Sequence, residues 1–312
     1  TETLSFKELG AAKWETHHPP QRMGNAADIA YGGFAVAVAA QAACKSVPES
    51  YHLYTLMGNF LGPAFTDRPL RASTRMLRKT RTFVTCQVEV SQLIAGKDGR
   101  PEDRICLIAL ADFQVQEKGN VLEYCAPPRQ KYSHYDGLPG VRSNSEKLVE
   151  EGKVSKDEAQ GFWTSFGLHD ALFDSRPCPE GIFAQNLNGR SKKVETTQEG
   201  LHVTEKSTAD WVRCRTPLPT QADHRTAMAF LMDSALSFTP LAFSQMYLDD
   251  TAACSSLDFA LRLFSNSINL EAWHLRELVT HVGAEGRTYS EARIWDENRR
   301  CVGNMTQQGI MR

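Results

Sequence analysis

The sequence predicts an α+β protein in which one unit, a long helix packed against an antiparallel sheet, occurs twice. Two blocks, residues 58–90 and 261–295, share the same order of features: a phenylalanine, a short turn, an alternating strand and an Arg-Thr-aromatic motif. An apolar helical stretch precedes each block, and one further strand follows it. Duplication explains four elements in the same order better than chance does, so the repeat defines the predicted architecture.

The first unit is predicted at residues 1–117. It begins with a helix over residues 31–47, YGGFAVAVAAQAACKSV, which is apolar almost throughout. Residues 58–90 then alternate between apolar and polar side chains, as antiparallel strands with one buried face do. The segment AGKDGRPED provides the turn residues of a hairpin, and RICLIALADFQVQ forms the last strand.

Residues 118–181 differ in composition and are predicted to form a connector that covers surface. The segment CAPPRQKYSHYDGLPG is rich in Pro, Gly and Tyr, which is typical of an irregular loop. Two Ser-x-x-Glu capping boxes follow, Ser143 with Glu146 and Ser155 with Glu158. Each capping box predicts the start of a short helix.

The second unit is predicted at residues 182–312. Its helix covers residues 224–243, where Pro240 should kink the helix after Asp233 or mark its last turn. Alternating strands follow, and WDENRR provides the turn before the last strand, RRCVGNMTQQGIM.

Composition excludes several classes of protein. The formal net charge of −2 over 312 residues gives no electrostatic footprint for nucleic acid. No apolar run is long enough to predict a membrane span. The eight cysteines lack CxxC spacing, so we expect them to be reduced and buried, and we predict neither a metal site nor a cofactor.

Asp233 is the one charged residue in AMAFLMDSALSFTPLAF, residues 227–243. Removing an unpaired carboxylate from water is costly, so the chain needs either a partner for it or a use for it. The residues alone leave both explanations open: an ion pair with an arginine such as Arg262, or a role in chemistry.

Four segments carry a resemblance to a known family: YGGFAVAVAAQAACKSVP, FLGPAFTDRPL, SSLDFALRLF and QQGIMR. By these segments the chain resembles the type II acyl-CoA thioesterases, a family with a double hotdog fold of two fused helix-and-sheet units, and the resemblance spans nearly the whole chain. The first two segments are similar to the Gly-Gly opening of the family helix and to its Phe-x-x-x-Gly-type turn. The last two resemble the strand that carries a Thr-hydrophobe-Asp-His motif and the Gln-Glu-Gly-Val-Met-Arg end of the last strand.

The resemblance implies three catalytic residues in the second half. The family uses an Asp in the helix, a Thr or Ser on the first strand and a Gln near the end of the last strand. By motif these positions fall on Asp233, Ser256 and Gln307. Asp233 would orient a water and accept its proton, Gln307 would hold the same water, and Ser256 would contact the acid or the water. No nucleophilic serine is indicated, because Gly-x-Ser-x-Gly is absent from the sequence.

The sequence departs from the family pattern at a few positions. Asp258 is kept, but Phe259 and Ala260 stand where the family has His-Ser. Phe34 replaces the Gln that follows Gly-Gly, and Gln308 replaces the family acid near the end of the chain. The first half has no acid equivalent to the catalytic one, so we expect one site per chain.

Four further residues are candidates for binding substrate. Gly32 and Gly33 open a helix and permit close approach of the backbone to a ligand or to a packed neighbour, and both explanations stay open. Arginine suits the phosphates of CoA, and the arginine-rich run at 68–81 offers Arg78 and Arg81. The alternative for these two arginines is a solvated strand face.

Three functions stay open at this stage. The first is hydrolysis of an acyl-CoA, or a related acyl thioester, to free acid and thiol. The second is a hotdog-fold lyase or cyclase acting on a polyketide-like or carrier-bound acyl substrate, and the third is acyl-CoA binding without catalysis. Homo-oligomers are expected only by analogy. A cytoplasmic location is expected because the chain ends in Met-Arg, without the peroxisomal Ser-Lys-Leu signal of some relatives.

Overall fold

A computed structural model of the chain describes residues 5–24, 27–96 and 98–312 and contains thirteen strands and six α-helices within them. By its contacts the chain divides into two units. The first unit contains the chain up to Tyr124, Pro217–Ser234 and Leu257–Leu270, and the second contains Cys125–Thr216, Ala235–Ser256 and Glu271–Arg312.

The first unit holds two helices and one antiparallel sheet. Its elements are β1 (Phe6–Gly10), β2 (Lys13–Thr16), α1 (Gly32–Lys45), β3 (Tyr51–Phe60), β4 (Arg71–Lys79), β5 (Phe83–Ala95), β6 (Pro101–Val115), α5 (Gln221–Met232) and β10 (Asp258–Leu263). The strand order is β1-β2-β4-β5-β6-β3-β10, and every neighbouring pair is antiparallel.

Helix α1 is buried on nearly all sides. Its residues from Gly33 to Ala43 are buried, because it packs against β4, β5 and β6 on one side and against α5 on another. The alanine-rich sequence makes this close packing of two helices possible, since small side chains let the backbones approach. Larger rings fill the space near its start, where Phe34 and Phe230 meet edge to face with centroids 5.0 Å apart.

The second unit holds the rest of the elements. They are α2 (Val141–Glu150), α3 (Lys156–Leu172), β7 (Phe173–Pro177), α4 (Ile182–Asn186), β8 (Thr208–Cys214), α6 (Thr239–Phe243), β9 (Cys254–Ser256), β11 (His274–Ala284), β12 (Arg287–Asp296) and β13 (Cys301–Met311). The strand order is β13-β12-β11-β8-β7, with β9 also paired to β13, and α6 packs on β11 and β12. An α+β protein built from antiparallel sheets and helices is therefore confirmed.

The single long helix expected over residues 224–243 is wrong, because the chain breaks there. Helix α5 ends at Met232, Asp233 is its C-cap residue, and α6 begins at Thr239. Between them Ala235 takes a left-handed conformation with φ of 76°, which an α-helix cannot accommodate. Pro240 lies in the first turn of α6, where its missing N–H costs no hydrogen bond, so it neither kinks α5 nor ends it.

The connector contains one correctly predicted helix start and one that is wrong. Ser155 caps α3 as expected, accepting a hydrogen bond from the N–H of Glu158, whose side chain accepts from the N–H of Ser155. Helix α2 begins earlier than its predicted cap: it starts at Val141 after Gly140, with no side-chain cap, so Ser143 lies inside the helix.

Some of the other expectations are confirmed and some are wrong. All eight cysteines are free, but they are not all buried, since Cys125 is exposed and four others are only partly buried. The hairpin after β5 is present, with Lys97 outside the described residues. No helix of the described chain is long and apolar enough to cross a membrane. The unit boundaries at 117 and 181 stay a prediction.

Candidate active site

Asp233 lies at the end of α5, where its carboxylate is removed from solvent. The residue is 5% exposed and follows Met228–Met232, a turn of fully buried apolar residues. A helix C-terminus carries partial negative charge, so its own helix does not favour a carboxylate at this position. The stabilisation of the charge must come from other elements.

The start of α1 is one of those elements. A methyl group added to Gly32 would lie 3.2 Å from Oδ2 of Asp233 and 3.1 Å from Cε1 of Phe60, so the carboxylate lies against the first turn of α1. That turn contains no acidic residue, and Tyr31 provides no side-chain cap. The partial positive charge at a helix N-terminus favours a nearby anion, which gives a physical reason for the acid to be tolerated here.

The last carbonyls of α5 are satisfied by side chains around Asp233. The hydroxyl of Tyr31 donates to the carbonyl of Phe230 at 2.7 Å. The hydroxyl of Ser234 donates to the carbonyl of Leu231 at 2.7 Å. The carbonyl of Leu231 also accepts from the N–H of Ser234 at 3.1 Å, so these bonds together fix the turn from which Asp233 extends.

Ser256 and Gln307 are brought together by the pairing of β9 with β13. Gly309 is opposite Ser256 in the register, and the serine hydroxyl donates to Oε1 of Gln307 at 3.1 Å. Gln307 is 2% exposed, so its side chain lies in the interior. With Oε1 accepting from the serine, the amide nitrogen is a donor, and it lies 3.7 Å from the sulfur of Met305.

Cys254 shares β9 with Ser256 but is not suited to act as a nucleophile. Burial raises the pKa of its thiol to about 11, and the thiol donates to the carbonyl of Ser237 at 3.4 Å. The thiolate is the nucleophilic form of cysteine, so at neutral pH this group stays protonated.

The remaining predicted residues lie on other parts of the first unit. Gly33 lies under the ring of Tyr31, where a methyl group would come within 2.2 Å of Cε1. Arg78 is exposed near the end of β4, and its guanidinium carbon lies 5.9 Å from the centroid of Phe83. Arg81 is exposed in the turn before β5.

Arg78 and the helix α1 lie on opposite faces of the first sheet. Arg78 is opposite Thr85 in the register, whereas the buried neighbours Val84 and Cys86 point to the other face, on which α1 packs. The structure therefore brings Gly32 to Asp233 and Ser256 to Gln307, and it places Arg78 on a solvent-facing surface.

The structure also shows where the alternative partner of Asp233 lies and where one departure from the family pattern lies. Arg262, considered as an ion-pair partner of Asp233, lies on β10 with its guanidinium 3.9 Å from the sulfur of Met57. Phe259, which stands where the family has His, is 2% exposed and packs against the ring of Phe60 with centroids 5.6 Å apart.

Three residues around Asp233 were not singled out from the sequence: Tyr31, Phe60 and Ser234. Tyr31 stands directly before Gly-Gly, and an aromatic residue followed by two glycines is the signal that could have found it. No cluster of three or more His, Cys, Asp or Glu side chains suited to a metal ion is found within the described part of the chain.

Comparison with known proteins defines the class of this fold. The structure is similar to the tesB protein of Mycobacterium avium subsp. paratuberculosis, with a TM-score of 0.69 and 15% identity, covering 99% of this chain and 97% of that one. It is also similar to a hot dog fold protein from Alicyclobacillus acidocaldarius, with a TM-score of 0.68 and 15% identity, covering 100% and 97% of the two chains. The chain therefore has the double hotdog fold, as its sequence predicts.

The sequence itself identifies the family. Residues 19–114 match the model of the acyl-CoA thioesterase N-terminal domain, and residues 167–311 match that of the acyl-CoA thioesterase C-terminal domain. The acyl-CoA thioesterase 2 of Haemophilus influenzae is 22% identical over 285 residues, which cover 90% of this chain and 87% of that protein. The chain belongs to the acyl-CoA thioesterase family and is a thioester hydrolase.

Proposed function

We propose that the protein hydrolyses acyl-CoA to a free acid and CoA by means of a water activated by Asp233, Ser256 and Gln307. The observation that carries the proposal is the buried carboxylate of Asp233, placed at the end of α5 and against the start of α1. Burying a carboxylate in an apolar segment costs free energy, and general base catalysis is the function for which the chain keeps Asp233 there.

The proposed reaction needs only groups of this chain and water. Asp233 accepts a proton from the water as its oxygen attacks the thioester carbonyl carbon, and a tetrahedral intermediate forms. The intermediate collapses, the carbon–sulfur bond breaks, and the proton held by Asp233 passes to the departing sulfur. General base catalysis of this kind is worth about 10²–10⁴-fold in rate.

Ser256 and Gln307 are proposed to hold the water. Their hydrogen bond of 3.1 Å fixes both side chains relative to one another. A water held in one position avoids the entropy cost of finding the reactive geometry. Arg78 and Arg81 are proposed as contacts for CoA phosphates, which is consistent with the exposure of both guanidinium groups.

The test is thiol release from fatty acyl-CoA, followed with a colorimetric thiol reagent. We expect Asp233→Asn to lower kcat by at least ~100-fold, because the amide cannot accept the proton of the water. Asp112→Asn is the matched control: Asp112 is an acid of the same unit that accepts a hydrogen bond from Thr85 at 2.6 Å, and the substitution should leave kcat unchanged.

Other results would point elsewhere. An unchanged rate in Asp233→Asn would remove the proposed mechanism. Wild-type protein that binds acyl-CoA in calorimetry but releases no thiol would support a binding protein, and turnover of enoyl substrates without thiol release would support a lyase. Self-association and a cytoplasmic location stay predictions.

A further inference from the structure

We propose that Tyr31 is a positioning residue for the proposed reaction: its hydroxyl fixes the last turn of α5 and so holds the carboxylate of Asp233 in its working position. This inference rests on the role of Asp233 proposed above. It assigns a purpose to the aromatic residue that precedes Gly-Gly and to the two glycines themselves.

The hydroxyl of Tyr31 provides the link between the two helices. It donates to the carbonyl of Phe230 at 2.7 Å, and Phe230 lies in the last turn of α5, three residues before Asp233. The last carbonyls of a helix depend on partners outside it, and this hydrogen bond is one such contact. The bond therefore restrains the turn that ends in the acid.

Two aromatic rings, those of Phe34 and Phe230, hold Tyr31 in this orientation. Its ring meets Phe230 edge to face at 4.9 Å and Phe34 at 6.4 Å, while Phe34 meets Phe230 at 5.0 Å. Phe34 is 1% exposed and Phe230 is 1% exposed, so both of these rings are packed in the core. These contacts favour the ring direction from which the hydroxyl of Tyr31 reaches the carbonyl of Phe230.

The two glycines leave the space that this arrangement requires. A methyl group on Gly33 would come within 2.2 Å of the Tyr31 ring, so the ring would have to move from its present position. A methyl group on Gly32 would press on Phe60 and on Oδ2 of Asp233, at 3.1 and 3.2 Å. The hydrogen bond from Tyr31 restrains the backbone turn that ends in Asp233. The missing side chain of Gly32 lets the carboxylate of Asp233 approach the start of α1.

The test compares Tyr31→Phe with the wild type. The substitution keeps the ring and removes only the hydroxyl, so we expect the fold to persist and kcat to fall by about five- to tenfold, the effect of one lost hydrogen bond. KM should change less than about twofold, because the substrate contacts are untouched and only the geometry of the reacting groups is relaxed.

Ser46→Ala is the control. Ser46 lies in the same unit, and its hydroxyl also donates to a backbone carbonyl in the last turn of a helix, that of Ala42, at 2.8 Å. One hydroxyl is again removed, but the carbonyl belongs to the end of α1 opposite Gly32. We expect this variant to keep the wild-type kcat.

The decisive measurement is Tyr31→Phe in the Asp233→Asn background. If Tyr31 acts through the acid, the double variant is no slower than Asp233→Asn alone, because there is no longer a base to position. If the double variant is slower than Asp233→Asn by the factor that Tyr31→Phe alone costs, the inference is overturned and the proposed function stays intact. A fully active Asp233→Asn would instead overturn both.

A second variant covers the case in which Tyr31→Phe does not fold, which thermal unfolding would reveal. Gly33→Ala keeps the tyrosine hydroxyl but displaces its ring from its present position. We expect Gly33→Ala, like Tyr31→Phe, to lower kcat and to change KM little. An unchanged kcat in a folded Gly33→Ala protein would contradict the inference.

Discussion

Glu277 illustrates how the second unit accommodates a buried charge. Its side chain is fully shielded from solvent, and it accepts hydrogen bonds from the N–H of Arg129 at 2.7 Å and from the hydroxyl of Tyr132 at 2.9 Å. The guanidinium of Arg293 pairs with its second oxygen at 2.9 Å. A buried carboxylate with both oxygens satisfied stabilises one arrangement of the connector on the sheet.

His169 is partly buried and is a case of the opposite kind. Its Nε2 is shielded from solvent and has no hydrogen-bond partner among the residues that the structure describes. Burial, and then the positive charge of Arg276, lowers the pKa of His169 to about 4. Its imidazole therefore stays neutral in the folded protein at a pH where the same group in an unfolded chain is charged.

This difference predicts a pH dependence of stability. The unfolded state binds a proton at His169 below about pH 6.5, and the folded state does so only near pH 4, so stability falls as the pH drops between those values. The loss is at most about 1.4 kcal/mol per pH unit. We expect the free energy of unfolding of His169→Gln, measured with urea, to depend less on pH than that of the wild type over pH 4–6.5. His202→Gln removes an exposed imidazole and should keep the wild-type dependence; a wild-type dependence in His169→Gln would contradict the prediction.

At this scale the sequence identifies which residues are unusual but not what surrounds them. Asp233 is predicted to matter because one acid interrupts an apolar stretch. The approach of Gly32 to Asp233, and of Tyr31 to the carbonyl of Phe230, cannot be predicted, because the two segments lie far apart in the sequence and meet only when two helices pack. The hydrogen bond between Ser256 and Gln307 depends in the same way on a strand register that no local pattern specifies.

The break between α5 and α6 shows that a sequence pattern can also fail to predict where a helix ends. Apolar residues continue through 227–243, so the hydrophobic pattern indicates one helix. The short polar side chains at Asp233 and Ser234 compete with the backbone for hydrogen bonds, and Ser234 bonds to Leu231 instead of extending the helix. Propensity favours a break here only weakly, and tertiary contacts at the end of α5 decide it.

Helix capping gives a prediction for the connector. Ser155 caps α3 with both bonds of a capping box, so Ser155→Ala should lower the free energy of unfolding by about 1 kcal/mol. Ser143→Ala is the control, since Ser143 lies inside α2 and alanine is the better helix former; its effect should lie within about 0.5 kcal/mol. Chemical denaturation would measure both. Equal losses in the two variants would show that serine at these positions acts in some other way.

At the scale of the whole molecule, the order of elements is predictable because periodicity and turn residues repeat along the chain. The loop WDENRR does join β12 to β13, and each Arg-Thr-aromatic motif does mark the start of a strand, β5 or β12. The pairing of β10 with β3 could not be predicted, because the two strands are separated by most of the sequence. Local patterns specify elements, and burial of their apolar faces selects their partners.

Connector side chains cover part of the second sheet. Tyr132, Tyr135 and Leu138 pack against a cluster of buried residues on that sheet. The cluster comprises Cys178, Ala209, Trp211, Trp273 and Leu275. The ring of Tyr135 stacks on Trp273 at 4.9 Å and meets Trp211 edge to face at 5.2 Å. The aromatic residues of the loop thus shield two tryptophans that the strands alone would leave exposed.

This cover should contribute measurably to stability. Tyr135→Ala removes both ring contacts and should lower the free energy of unfolding by about 2 kcal/mol, since each aromatic pair is worth roughly 1 kcal/mol beyond the area it buries. Tyr135→Phe keeps the ring and loses only an exposed hydrogen bond to Glu297, so its loss should stay below about 0.5 kcal/mol. Tryptophan fluorescence during urea unfolding reports on the same contacts, because Trp211 and Trp273 are the partners. If phenylalanine proved as damaging as alanine, the hydroxyl and not the ring would hold the connector in place.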